Sequence, residues 1–164
     1  MNTDHPIPAI AWAQQQLAQY GRVGCTRIMK VPDLAAAVGI GPNTVVAAPL
    51  LTFRDPGTVI AVYGQELLGT VAKFASTEIR IQFSGDEDLI SNGSGGDFAA
   101  LLALVGPNVN WYPITRRVQR GDNWAISWRN QDGAATATPQ CLFAFIRDAD
   151  LGALNQEMRS AQAR

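Results

Sequence analysis

Thr77-Glu78-Ile79-Arg80-Ile81-Gln82-Phe83 sets the fold class, because Ile79, Ile81 and Phe83 fall on one side of an extended chain and Glu78, Arg80 and Gln82 on the other. That period of two is the signature of a half-buried antiparallel strand, one face in a core and one in water. Working outward in both directions, the chain keeps the same texture of β-branched and aromatic residues punctuated by Gly, Pro and Asp. Consecutive strands have this spacing.

Upstream, the pattern predicts strands over 44–53, 58–63 and 67–74, with Gly64-Gln65-Glu66 turning the second into the third. Downstream, Phe-Ala-Ala-Leu-Leu-Ala-Leu-Val at 98–105 is short enough to be a buried strand or two turns of buried helix, and we read it as strand. The last third reads as a meander of strands over 114–119, 123–130 and 140–147. Its turns are Arg120-Gly121-Asp122 and Gln131-Asp132-Gly133, and Asp132-Gly133 spells a tight hairpin because both residues accept positive φ cheaply. In the middle strand Trp124, Ile126 and Trp128 share a face.

Helical spacing returns only near the ends. Ile10, Ala13, Leu17 and Tyr20 form a stripe within 7–20, with Pro8 in the first turn and Gly21 as the stop. A second short helix is expected over 34–38, capped by Asp33 and broken by Gly39, Gly41 and Pro42. Leu151, Leu154 and Met158 form a stripe within 148–164, capped by Asp148 or Asp150. Eight or so strands with few helices between them imply a mainly β fold, an antiparallel β-sandwich with helical segments at the two ends. A jelly roll is one connectivity that fits. The expected organisation is one globular unit: 1–43 as N-terminal helical segment and linker, 44–147 as β-sandwich body, and 148–164 as helical tail.

A chain of 164 residues is the size of one domain. Hydrophobic residues make up 47%, but charged ones only 16%, against roughly 25% in an average soluble protein. With 13 basic and 14 acidic side chains the net charge is −1, so little long-range field draws the protein to nucleic acid. Long charged side chains are costly to bury at an interface centre, so a surface poor in them suits contact with other proteins. Nowhere do about 18 apolar residues follow one another, and the first 30 residues carry no charged leader with an apolar block. We therefore expect neither a membrane span nor secretion by a classical signal.

The chemistry-bearing residues point away from catalysis. The single histidine, His5, excludes a histidine-based triad and a multi-histidine metal centre. Asp86-Glu87-Asp88 opens a loop ending in Ser91-Asn92-Gly93-Ser94-Gly95-Gly96. Asp86 and Asp88 are the only weak metal candidates, for Ca²⁺, and they lack EF-hand spacing. Arg116, Arg117 and Arg120 lie near Trp111, Tyr112 and Trp124, but alternation sends Arg116 and Arg117 to opposite faces, against a single-stranded nucleic-acid surface. The glycine runs lack the lysine of a phosphate loop. Cys25 and Cys141 lie far apart in sequence and read by default as buried free thiols, their separation in space deciding whether they pair. The expectation is a protein that is not an enzyme and has no cofactor. Trp111, beside Asn108, Asn110 and Pro113, is the aromatic best placed for an exposed contact.

Gly121-Asp122-Asn123-Trp124-Ala125-Ile126-Ser127-Trp128-Arg129-Asn130, followed by Cys141-Leu142-Phe143-Ala144-Phe145-Ile146, resembles structural proteins of bacteriophage and related virions, with their short strands, low charge and Asn/Gly/Thr-rich loops. That resemblance implies a capsid-associated β-sandwich: a decoration, vertex or minor capsid subunit, commonly a symmetric homo-oligomer bound to other assembly subunits. It would reside in the virion, or in the cytoplasm if the protein is cellular. Because amphipathic segments need an apolar partner, Ile10, Leu17, Tyr20, Leu151, Leu154 and Met158, with Trp111, are the expected interface residues. The alternative is a carbohydrate- or small-ligand-binding sandwich using aromatics near Trp111.

Overall fold

The computed structural model describes residues 6–32, 39–48, 50–67, 76–83, 98–100 and 111–164. Helix α1 (Pro6–Tyr20) is followed by strands β1 (Arg27–Val31), β2 (Thr44–Ala47), β3 (Leu51–Thr52), β4 (Gly57–Glu66), β5 (Thr77–Gln82), β6 (Ala99–Ala100), β7 (Tyr112–Val118), β8 (Asn123–Asn130) and β9 (Pro139–Arg147). A 3₁₀ turn over Asp148–Asp150 leads into helix α2 (Leu151–Gln162). The fold is mainly β, as the alternation at 77–83 predicts, and β5 shows strict alternation of buried and half-buried residues.

All strand pairs are antiparallel. One sheet has the order β1-β9-β4-β7; the other has the order β2-β8-β5-β6, with β3 on the same edge of β8 as β2. With β2 and β3 counted as one interrupted strand, the pairs are nested: first with last, second with second-last, and so inward to β5 with β6. This is one long antiparallel ribbon rolled into two facing sheets, the connectivity of a jelly roll.

Between the sheets, Val59, Ile114, Val118, Cys141, Phe143 and Phe145 face Phe53, Ile79, Ile81, Phe83, Trp124, Ile126 and Trp128 in one apolar cluster. Trp124 anchors it, with edge-to-face contacts to Phe53, Phe83 and Phe143 at 4.5–5.6 Å between ring centroids. A second cluster lies on the opposite face of the first sheet. There Ile60, Ala61, Ala144 and Ile146 meet Ala9, Ile10, Ala13 and Leu17 of α1 and Leu154 of α2. A bulge in β4 between Val59 and Ala61 turns Ile60 and Ala61 to this side. Gln14 of α1 donates from Nε2 to the Ile60 carbonyl at 3.0 Å and also reaches the Ile114 carbonyl, tying the helix to the bulge. Among the described residues the layers are therefore helices, sheet, sheet.

Several expectations are corrected. Gly64-Gln65-Glu66 does not turn. It is the last stretch of β4, paired with Cys141, Gln140 and Pro139, because its polar side chains have partners: Glu66 Oε1 accepts from the Thr138 amide and hydroxyl at 2.6 Å each, and Gln65 bonds to Gln140. The last three strands are not a meander, since β7 and β9 belong to one sheet and β8 to the other. Both turns cross between sheets. Arg120-Gly121-Asp122 is tight as expected, with Gly121 at φ +92° and Asp122 Oδ2 accepting from the Gln119 amide at 2.8 Å.

Asp132-Gly133 is not a hairpin: Asp132 Oδ1 accepts from the amides of Ala134 and Ala135 at 2.8 and 3.0 Å, starting a longer crossing on which Ala137 bridges Ile40. The N-terminal segment is not only helix and linker, because β1 pairs along β9. Asp150 occupies the N-cap of α2 without a side-chain bond to its backbone, its carboxylate being taken by arginines. The strand expected over 44–53 is interrupted between β2 and β3. The helix expected over 34–38, the strand over 67–74 apart from Leu67, and most of the strand over 98–105 lie outside the described residues.

Candidate functional site

The expected interface residues divide on the structure. Ile10, Leu17, Leu154 and Met158 are buried within the chain itself. The first three pack in the cluster that joins α1 and α2 to the first sheet, and Leu151 packs against that cluster. Their apolar stripe thus has a partner in the same molecule, which removes the reason for assigning these four buried side chains to contacts with neighbours. Tyr20 stands apart at 76% exposed. Trp111 is half-buried, against the same cluster and with its ring 5.7 Å from that of Tyr63; Tyr112 beside it is exposed.

The arginine cluster is dispersed, as alternation requires. Arg116 lies over the Phe83 ring at 4.4 Å, while Arg117 pairs with Asp148 on the helical side. Asp86 and Asp88 fall outside the described residues, as does His5. Among the described residues no group of three or more His, Cys, Asp or Glu side chains is placed to hold a metal, and no helix is long and apolar enough to cross a membrane. Cys25 and Cys141 are unpaired and sit in different layers, Cys141 between the sheets and Cys25 against the helix-side cluster. Burial, and then the negative charge of Glu157, push the Cys25 thiol up to about 11; complete burial pushes Cys141 up further. Neither is an activated nucleophile.

What sequence reasoning passed over is the margin of the second sheet. Asn43, at φ +50°, ends the preceding loop, and its amide donates to the Asp132 carbonyl at 3.1 Å. Buried Asn130 holds that corner. Its Nδ2 faces the carbonyls of Ala135, Ile40 and Gly41 at 2.8–3.2 Å, and its Oδ1 accepts from the Asp132 amide at 3.0 Å. From this anchor β2 runs along β8 with Thr44 opposite Asn130, Val45 opposite Arg129, Val46 opposite Trp128 and Ala47 opposite Ser127. The Ala48 amide donates to the Ile126 carbonyl at 2.8 Å.

All four β2 residues are nevertheless exposed. Val45 is 55% exposed, Val46 39% and Leu50 60%, and among the described residues no strand pairs with β2 on its other side. The sequence signal was available: no charged residue occurs between Asp33 and Arg54. It was hidden because one continuous strand over 44–53 would bury every second residue.

No protein-family model and no curated protein matches this chain. The functional reading therefore rests on its own residues. An uncharged, apolar sheet edge carries no group for acid–base or nucleophilic chemistry, but its backbone donors and acceptors and its valines suit association with another strand.

Proposed function

We propose that the chain is a structural subunit of a larger protein assembly, of the capsid-associated kind found in phage and virus particles, acting through protein–protein contacts without catalysis. The observation that carries this reading is the open edge of the second sheet, where Val45, Val46 and Leu50 stand exposed on a stretch free of charge. Natural sheets usually blunt such edges with lysine, proline or a covering element, because an open apolar edge recruits other chains. Here a proline follows β2 only at position 49 of the sequence, and among the described residues no strand pairs with the outer side of β2. The jelly-roll connectivity adds support by analogy only, since viral capsid domains share it with lectin domains and cupins. In this reading the protein is a homo-oligomer that resides in the particle, alongside other assembly subunits.

The test is size-exclusion chromatography with light scattering over a wide concentration range. A defined oligomer, or a mass that rises with concentration toward one, is the expected result. A monomer at every concentration overturns the reading. It would favour the second one, a carbohydrate- or small-ligand-binding module, for which the half-exposed Trp111–Tyr63 ring pair with Tyr112 is the best platform.

A further inference from the structure

We infer that the strand covering β2 is the β2 of a second copy, paired antiparallel about a two-fold axis through Val46, so that two second sheets join into one continuous sheet. The inference rests on the assembly reading above and names its partner, its register and its axis.

The backbone selects the register. The Ala48 amide points at β8, and in an antiparallel strand alternate residues send both N–H and C=O the same way. Ala48, Val46 and Thr44 therefore bond toward β8, while Val45 and Ala47 present N–H and C=O to the open side. Centring the pair on Val46 sets Val45 opposite Ala47 of the other copy and Ala47 opposite its Val45, and all four outward donors meet outward acceptors. Centring on Ala47 would leave Val45 without a partner inside β2, which ends at Ala47. Centring on Val45 would set Ala47 against Asn43, whose amide is already bonded to Asp132 and whose positive φ has left the strand.

The side chains agree. Val46 lies opposite buried Trp128, on the core side of the sheet, yet is 39% exposed; a second Val46 across the axis would continue the core past its present margin. Charge does not oppose the approach. No charged residue lies between Asp33 and Arg54, and Arg129, opposite Val45, is paired with Glu78. Two identical edges therefore meet without like-charge repulsion. Four residues a side is far below the roughly 20–30 of a standard interface, so an isolated pair is weak and concentration-dependent, of the kind that becomes stable when repeated around a closed assembly.

The experiment is oxidative cross-linking of V46C and V45C at high protein concentration, each in a C25S background because Cys25 is only half-buried, beside C25S alone, whose remaining Cys141 is fully buried. In the inferred register the two Val46 positions form a non-hydrogen-bonded pair with Cα atoms about 4.5 Å apart, within disulfide reach; the two Val45 positions are diagonal neighbours about 7–8 Å apart, outside it. V46C is expected to form covalent dimer at least tenfold faster than V45C or C25S alone. V46K, which places two ammonium groups opposite each other, is expected to lower the concentration-dependent mass in light scattering while leaving the buried-tryptophan emission unchanged.

Equal cross-linking of V45C and V46C, or an oligomer that V46K leaves intact, overturns this edge while the assembly reading stands. A wild-type monomer at every concentration overturns both.

Discussion

Asp150 shows how a residue that reads as a helix cap can take another role. Its carboxylate accepts two hydrogen bonds from Arg147 at 2.9 Å each, and Arg27 approaches at 3.5 Å. Arg147 first, and Arg27 after it, hold the Asp150 carboxyl below its ordinary value. A carboxylate whose pKa is depressed by folding adds stability above its unfolded value, near 4, and loses it as the pH falls through the folded value. Asp150→Asn is therefore expected to lower stability slightly at pH 7, the groups being partly exposed. The gap to wild type should close below about pH 4. Urea denaturation of both proteins across that range checks it, and a gap that persists in acid would assign the effect to packing. Local patterning placed an acid at this position correctly; it could not show that three arginine nitrogens engage its carboxylate while no helix amide donates to it.

At the scale of the element, the terminal helices change meaning. Their stripes were legible from spacing, and α1 and α2 lie where Ile10, Leu17, Leu154 and Met158 put them. What covers those stripes was not legible, because spacing gives a face and not its partner. β9 supplies the answer: it is buried on almost every residue, so its sheet needs cover on both sides, and Ala144 and Ile146 are the side that receives the helices. Leu154→Ala is consequently expected to destabilise the folded chain by about 2–5 kcal/mol, the usual cost of emptying a buried leucine site, whatever its oligomeric state. The urea midpoint should fall with an unchanged slope, whereas a variant that lost only association would keep the wild-type midpoint at low concentration. β2 is the converse case. Its residues promise burial by composition, and the element instead ends at the molecular margin.

For the whole molecule, the nested pairing sets Arg27 opposite Phe145 and Thr44 opposite Asn130, so the outer pairs join segments from opposite ends of the chain. Loop-closure entropy must be met before such pairs contribute, and all-β topologies of this kind fold in milliseconds to seconds. Stopped-flow refolding followed by tryptophan emission is expected to fall in that range; completion within microseconds would mean that the nested pairs do not limit folding. The class of the fold was readable from Thr77–Gln82 and from the count of strands. Its connectivity was not, because a turn such as Arg120-Gly121-Asp122 has the same residues whether it joins neighbours in one sheet or steps between two.

Among the described residues the helical layer covers only the first sheet, which gives the molecule two unlike sides. A two-fold axis that pairs antiparallel strands stands perpendicular to their sheet, so joining two copies through Val46 would put both helical layers on the same side of the resulting slab. Such a slab has a front and a back: α1 and α2 with exposed Tyr20 on one, and the half-exposed row Glu78, Arg80 and Gln82 on the other. Tiled into a shell, every copy would present the same side to the exterior, and reagents too large to penetrate would mark Tyr20 or Arg80, never both.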